Sequence, residues 1–182
     1  MSKSSLLKTS KFLALVLRHD PSAANVCLDR EGWTSVSGLL QGLSNKGFLV
    51  SHADLAQIVA GDGKRRYSFS DDGLRIRANQ GHSSPTVDLS FTVTEPPERL
   101  YHGTHQAVVE TILREGLLKM SRHHVHLSGD IETARIVGSR RGKPIILPVD
   151  AATMCGDGYL FYLSANGVWL TDIVPPQYLS LI

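Results

Sequence analysis

The sequence predicts an α+β protein built from two lobes. Three observations point there. The first half orders three helical stretches ahead of a β-hairpin, the second half alternates short strands with short helices, and a Ser/Pro/Thr-rich stretch over residues 81–98 separates them. With 182 residues, 42% hydrophobic and 20% charged, the chain is long and apolar enough for two small cores. Lobes over 1–95 and 96–182 are expected.

In the first lobe Leu6, Leu7, Leu13, Val16 and Leu17 keep helical spacing. Asp20-Pro21 ends that helix, because the residue before a proline avoids the α region. A second helix is expected over 35–43. A third, over 51–60, opens on the capping-box-like run Ser51-His52-Ala53-Asp54 and carries Leu55, Ile58 and Val59. Tyr67 and Phe69 alternate with Ser68 and Ser70, Asp72-Gly73 makes a turn, and Leu74 and Ile76 alternate with Arg75 and Arg77. Three helices and a hairpin are the order of a winged helix. The connecting stretch holds Pro85 and Pro96-Pro97, with a strand expected over 87–93.

In the second lobe Leu100-Tyr101 reads as a strand and 106–114 as a helix burying Val108, Val109, Ile112 and Leu113, stopped by Gly116. A strand around Val125 and Leu127, a helix over 131–138 and a strand over 145–149 follow. Segments 159–163 and 168–170 form a hairpin through Asn166-Gly167. Neither GxGxxG nor GxxxxGK[ST] occurs, which disfavours a doubly wound nucleotide fold.

Composition excludes several classes. Cys27 and Cys155 are the only cysteines, so there is no disulfide framework and no CxxC motif. Residues 1–5 lack the apolar core of a signal peptide, and the longest apolar runs, such as 13–17, are too short for a membrane span, so a cytoplasmic protein is expected. Charge is nearly balanced, 19 cations against 17 anions, with +3 on residues 1–91 and −1 on 92–182. The basic lobe is the better candidate for touching a polyanion. The cations are 12 Arg and 7 Lys, a bias toward the planar fork that grips phosphate.

Five of the 8 histidines, His102, His105, His123, His124 and His126, raise a metal site. His124 and His126 would share a strand face, yet no HExxH or paired cysteines accompany them, so no metal is expected. In Tyr101-His102-Gly103-Thr104 a strand ends, Gly103 allows close approach of a ligand to the backbone, and Thr104 offers a hydroxyl beside a helix start or simply caps that helix. Arg18-His19, Arg65-Arg66 and Arg140-Arg141 each sit at an element end. They either answer a helix dipole or a solvated edge, or converge on one phosphate. No GxSxG elbow is present, which disfavours a serine hydrolase.

Taken together, several segments resemble the RNA 2′-phosphotransferases. They are Ser10-Lys11-Phe12-Leu13 through Leu17-Arg18-His19, Leu28-Asp29-Arg30-Glu31-Gly32-Trp33, Arg66-Tyr67-Ser68 and Gln80-Gly81-His82-Ser83. In the second half they are Tyr101-His102-Gly103-Thr104, Val125-His126-Leu127-Ser128, the run 138–144, and Asn166-Gly167-Val168-Trp169-Leu170. The resemblance runs in order over nearly the whole chain. It implies a winged-helix-like N-terminal lobe and an ADP-ribosyltransferase-like C-terminal lobe.

It also implies an NAD⁺-dependent enzyme that removes a splice-junction 2′-phosphate from tRNA. In the family's reaction the RNA 2′-phosphate displaces nicotinamide from NAD⁺, giving an ADP-ribosylated phosphate. The ribose 2″-hydroxyl then attacks that phosphate, freeing RNA and ADP-ribose 1″,2″-cyclic phosphate. By resemblance the catalytic residues are Arg18, His19, Arg66 and Arg140, the arginines holding the phosphate and His19 serving as acid or base in the second step. NAD⁺ falls to His102, Gly103, Thr104, His126 and Ser128, and a monomer acting on RNA without a membrane is implied. Arg65 and Arg141, next to two of these arginines, leave each assignment open by one residue. Related ADP-ribosyltransferases carry a catalytic Glu where this chain has Val168-Trp169-Leu170. That fits a nucleophile that is already anionic and needs no general base.

Two rivals stand beside this reading. One is an ADP-ribosyltransferase acting on nucleic-acid phosphate ends or another acceptor, which shares the first chemical step. The other is a winged-helix nucleic-acid-binding regulator, which calls for a basic recognition helix, whereas 51–60 holds no Lys or Arg.

Overall fold

The computed structural model describes residues 3–181, without the side chains of residues 3–5 and 141. The first two residues of the segment read for a signal peptide lie outside the described residues. The architecture is α+β, in two compact units divided between Ser90 and Phe91.

The N-terminal unit contains α1 (Lys3–Arg18), a 3-10 turn (Pro21–Ala24), β1 (Thr34–Ser35), α2 (Val36–Asn45), α3 (His52–Ala60), β2 (Tyr67–Phe69) and β3 (Arg75–Ala78). Its antiparallel sheet runs β1-β3-β2, with Ile76 of β3 opposite both Thr34 and Phe69. Of the residues expected at helical spacing in α1, Leu13, Val16 and Leu17 are fully buried and Leu6 half-buried, whereas Leu7 is exposed; Leu39, Leu43, Leu55 and Ile76 complete the same core. The starts of α2 and α3 carry their own signals. Ser35 Oγ accepts from Gly38 N at 3.0 Å, and Ser51 and Asp54 form a reciprocal capping box. The β2–β3 turn needs Gly73 at φ +70, and Asp72 closes it by accepting from Leu74 N at 3.0 Å.

The structure departs from expectation in two places here. β1 is an added edge strand only two residues long, too short to show alternation. No strand forms over 87–93: Val93 makes one isolated bridge, to Tyr162. The reason lies in the backbone hydrogen bonds, since Asp88 N donates to Arg30 O in the first unit and Thr94 N to Phe161 O in the second. Divided between two partners, the segment has no ladder to join.

The C-terminal unit contains β4 (Arg99–His105), α4 (Gln106–Glu115), β5 (Leu117–Leu118), β6 (Val125–Leu127), α5 (Ile131–Gly138), a 3-10 turn (Ser139–Arg141) and β7 (Pro144–Asp150). It continues through α6 (Ala151–Gly156), β8 (Tyr162–Leu163), β9 (Trp169–Thr171), β10 (Ile173–Val174) and a last 3-10 turn (Pro176–Tyr178). β4 pairs antiparallel with β7 over seven positions, β6 pairs with β9 and β9 with β8, and β5 pairs with β10. A bridge between Tyr101 and Ser128 ties β4 to the chain just after β6. Leu100, Leu127, Val149, Met154, Phe161 and Val174 form the core.

β4 is longer than its two expected residues because β7 supplies partners as far as His105. That moves Thr104 into the strand and leaves His105 as the residue before α4, with no side-chain cap. α6, β5 and β10 are further additions; α6 starts where Asp150 accepts from Thr153 N at 3.1 Å. No helix among the described residues is long and apolar enough to cross a membrane.

One contact in the N-terminal unit admits no side chain. A Cβ at Gly42 of α2 would lie 2.0 Å from the Ala24 carbonyl oxygen. Gly42→Ala is therefore expected to destabilise the protein by about 1–3 kcal/mol through overpacking, despite alanine's better helix propensity. Equilibrium denaturation of the two proteins checks this.

Candidate functional site

Arg18 and His19 stand where α1 stops. The leucines and valine on its inner face are buried, and His19 N and Asp20 N both donate to Leu15 O at 2.8 Å, closing the helix. The segment after the hairpin returns to this point. Ser83 N donates to Arg18 O at 2.9 Å, and Ser83 Oγ shares a hydrogen bond with His19 Nδ1 at 2.9 Å. Gly81, at φ +85, lies against the Arg18 guanidinium, 3.6 Å from where its Cβ would be. Between them His82 is 2% exposed and packs at Gly32, so this loop is anchored in the unit it serves.

Arg66 reaches the same region from the other end of the chain segment. Its guanidinium Nη1 donates to Asp62 Oδ1 in an ion pair, and its backbone N–H donates to Asp62 Oδ2 at 2.7 Å. Asn79 holds the strand from the opposite side: its N–H donates to Arg66 O at 2.8 Å and its Nδ2 to Arg65 O at 2.7 Å. Arg65 has left-handed backbone at φ +42 and an exposed side chain, whereas Arg66 is half-buried. Geometry thus separates the two neighbours and selects Arg66 as the cation held in place.

Tyr67 joins these pieces. Its ring is 3% exposed and its hydroxyl donates to Ser10 O at 3.3 Å. Burial pushes the phenol above its ordinary pKa, while the positive charges of Arg18 and then Arg66 pull it down. Both guanidinium groups therefore act on one buried ring. The N-terminal unit thus places two guanidinium groups, Arg18 and Arg66, near one buried tyrosine, with His19 adjacent to Arg18 in the chain, and guanidinium groups suit an anion.

In the C-terminal unit the Tyr101–Ser128 bridge gathers a second group. Tyr101 N donates to Ser128 O at 2.9 Å and Ser128 N to Tyr101 O at 2.8 Å. His102 Nδ1 lies 3.3 Å from His126 O, and Arg122 Nη1 lies 3.5 Å from His126 Nδ1. His102, His126 and Ser128 are thus neighbours. Burial holds the His102 imidazole below its ordinary pKa, and the Arg122 charge adds to that, against the opposing hydrogen bond to His126 O.

Gly103 has a different reason to be glycine from the one expected. A Cβ there would stand 1.7 Å from Ala134 O and 2.9 Å from Gly138 N, so the missing side chain makes room for α5. Thr104 is 7% exposed, inside β4. Arg140 is exposed on the 3-10 turn after α5, and the Arg141 side chain lies outside the described residues.

The histidine run is dispersed. His124 meets Phe91 and Tyr162 in edge-on geometry, with ring centroids 5.8 and 5.5 Å away, while the His102 ring meets the His126 backbone carbonyl at the β4–β6 junction. Among the described residues no group of three or more His, Cys, Asp or Glu is placed to hold a metal ion. A cavity of about 260 Å³ elsewhere in this unit, lined by Arg99, Asp150 and Tyr178 among others, includes none of the candidate residues.

Asp62, Asn79 and Tyr67 were not singled out from sequence. Asp62 could have been found from its i,i+4 spacing to Arg66, and Ser83 from its place in Gln80-Gly81-His82-Ser83.

Residues 4–173 match the family model described as RNA 2′-phosphotransferase, Tpt1 / KptA family. The chain is similar to a "Probable RNA 2′-phosphotransferase" of Rhodopirellula baltica, 51% identical over 96% of this chain and 95% of that protein. Proteins of the same description from Trichormus variabilis and Rhizobium leguminosarum bv. trifolii are 50% and 53% identical. They cover 100% and 95% of this chain, and 100% and 92% of their own lengths.

The neutral His102 carries a pH prediction. Below the ordinary histidine value of 6.5 the unfolded chain binds a proton that the folded His102 disfavours, so stability falls as pH drops through that range. His102→Gln removes this contribution. Thermal unfolding at about pH 7.5 and about pH 5.5 should show the wild type losing more stability on acidification than the variant.

Proposed function

The chain belongs to the RNA 2′-phosphotransferase family, and on that premise we propose that it removes an internal 2′-phosphate of tRNA splice-junction type from RNA. The phosphate goes to NAD⁺ as co-substrate, and the products are nicotinamide, RNA with a free 2′-hydroxyl and ADP-ribose 1″,2″-cyclic phosphate. The observation that carries this proposal is the family match over residues 4–173, joined to an N-terminal unit in which Asp62 holds Arg66 and Ser83 binds both the Arg18 carbonyl and the His19 imidazole.

In this mechanism Arg18 and Arg66 grip the non-bridging oxygens of the 2′-phosphate and offset the charge that builds up on them during transfer. Arg140 is a further phosphate ligand. His19, oriented through Nδ1 by Ser83, moves a proton in the second step, when the RNA 2′-oxygen leaves. When bound, NAD⁺ supplies an electrophilic ribose carbon and nicotinamide as a leaving group.

The β4–β6 junction fits that co-substrate by its charge. A neutral His102 adds no charge of its own against a cationic nicotinamide, Arg122 beside His126 supplies a cation for the phosphates of the same co-substrate, and Ser128, His126 and Thr104 are the further polar residues assigned to it. Gly103 contributes through its backbone, its other side being filled by α5. The lobes are assigned as winged-helix-like and ADP-ribosyltransferase-like, and the protein as a cytoplasmic monomer that uses no metal.

The test is incubation with NAD⁺ and an RNA bearing one internal 2′-phosphate. NAD⁺-dependent appearance of dephosphorylated RNA and the cyclic phosphate is expected; no product, or product without NAD⁺, overturns the proposal. Arg66→Ala and His19→Ala should each slow the second step on the order of 10²-fold and accumulate ADP-ribosylated RNA. Equal loss of nicotinamide release would instead place those residues in the first step.

A further inference from the structure

We propose that Asp62 is a positioning residue for the second step, acting through Arg66: its carboxylate fixes the Arg66 guanidinium so that the remaining donors of that group face the phosphate. This rests on the phosphotransfer function proposed above.

The Asp62 side chain is only 8% exposed and that of Arg66 27%, in contrast to pairs such as Arg30–Asp88 at 82% and 63%. An ion pair this enclosed is far less screened than a surface one, and removing one partner is costly. Both carboxylate oxygens are used, Oδ2 by the Arg66 backbone and Oδ1 by its Nη1. The turn before Arg66 is closed by the same residue, since Arg65 N donates to Asp62 O at 2.7 Å.

A guanidinium has five N–H donors. Among the described residues the Arg66 guanidinium donates only through Nη1, so its Nε and Nη2 donors remain for an anion. With Asn79 fixing the Arg65 and Arg66 carbonyls, the side chain starts from a fixed backbone and is held near its tip. Little rotamer freedom is then lost when phosphate arrives, and preorganised donors of this kind favour the transition state.

The second step is a transesterification. The ribose 2″-oxygen bonds to phosphorus and gives up its proton, the bond from phosphorus to the RNA 2′-oxygen breaks, and that oxygen takes a proton. Arg66 stabilises the non-bridging oxygens, and Asp62 touches no reacting atom.

The experiment is a cycle on the full chain: wild type, Asp62→Ala, Arg66→Ala and the double variant, with Asp62→Asn as the isosteric control. Nicotinamide release reads the first step, and decay of ADP-ribosylated RNA reads the second. Asp62→Ala should slow the second step about 10-fold or more while nicotinamide release stays within about twofold. Asp62→Asn should fall between it and wild type. In the Arg66→Ala background, removing Asp62 should cost less than about twofold more.

Three results overturn the inference: a second step unchanged in Asp62→Ala and Asp62→Asn, an equal loss whether or not Arg66 is present, or both steps falling together with the unfolding temperature. A wild type that makes no NAD⁺-dependent product removes the functional proposal itself, and that outcome is read before any variant is compared.

Discussion

The N-terminal site depends on where α1 stops. Pro21 cannot continue the helix, and Asp20 turns the chain into the following 3-10 turn, so Arg18 and His19 emerge at a defined carbonyl end. The complete burial of Leu13, Val16 and Leu17 sets the rotation of the helix about its axis. That rotation sets the face of the helix from which Arg18 starts, and Gly81 lies against its guanidinium. Cations at such an end gain about 0.3–1 kcal/mol from the helix dipole, so the site is assembled where its charges are already tolerated.

The loop at 81–83 completes the arrangement. Gly81 suits its positive φ, and a Cβ there would meet the Arg18 guanidinium only at ordinary contact distance. The two polar contacts of Ser83 tie the loop to adjacent residues of α1, one through a backbone carbonyl and the other through an imidazole. The remaining arginines of this unit are held differently. Arg75 and Arg77 lie over Trp33, with guanidinium carbons 5.3 and 4.4 Å from the ring centroid, and Arg75 also pairs with Asp29 at 3.9 Å in an exposed position. Arg75 is exposed and held weakly, Arg77 is half-buried against the ring, and the Asp62–Arg66 ion pair is enclosed. A near-neutral protein can therefore hold enclosed cations, because burial, more than net charge, decides how strongly a pair is screened.

The C-terminal unit solves a different problem, that of keeping polar groups uncharged. Its frame is the seven-position pairing of β4 with β7, and α5 comes so close to β4 that Gly103 has no room for a side chain. Short strands crossing β4 near Tyr101 then bring His102 beside the carbonyl of His126. Burial favours the neutral imidazole there. His124, two residues from His126, is instead taken up by aromatic contacts.

Local chemistry determined much of this protein. The helix starts at Ser35 and Ser51, the stops at Asp20-Pro21 and Gly116, and the turns at Asp72-Gly73 and Asn166-Gly167 lie within a few residues of their signals, because caps and turns are short-range interactions. The buried Leu13, Val16 and Leu17 of α1 were legible from helical spacing, while the roles expected of Arg18, His19 and Arg66 came from the family resemblance. What the tertiary structure decided is the full length of β4, the short strands β1, β5 and β10, the absence of a strand at 87–93, and the choice of Arg66 over Arg65. The strand differences depend on partners far away in sequence, such as β7 for β4, whereas Arg66 is held by Asp62 four residues before it. A ladder hydrogen bond has no signature in either residue alone, so only the folded chain could reveal which were made.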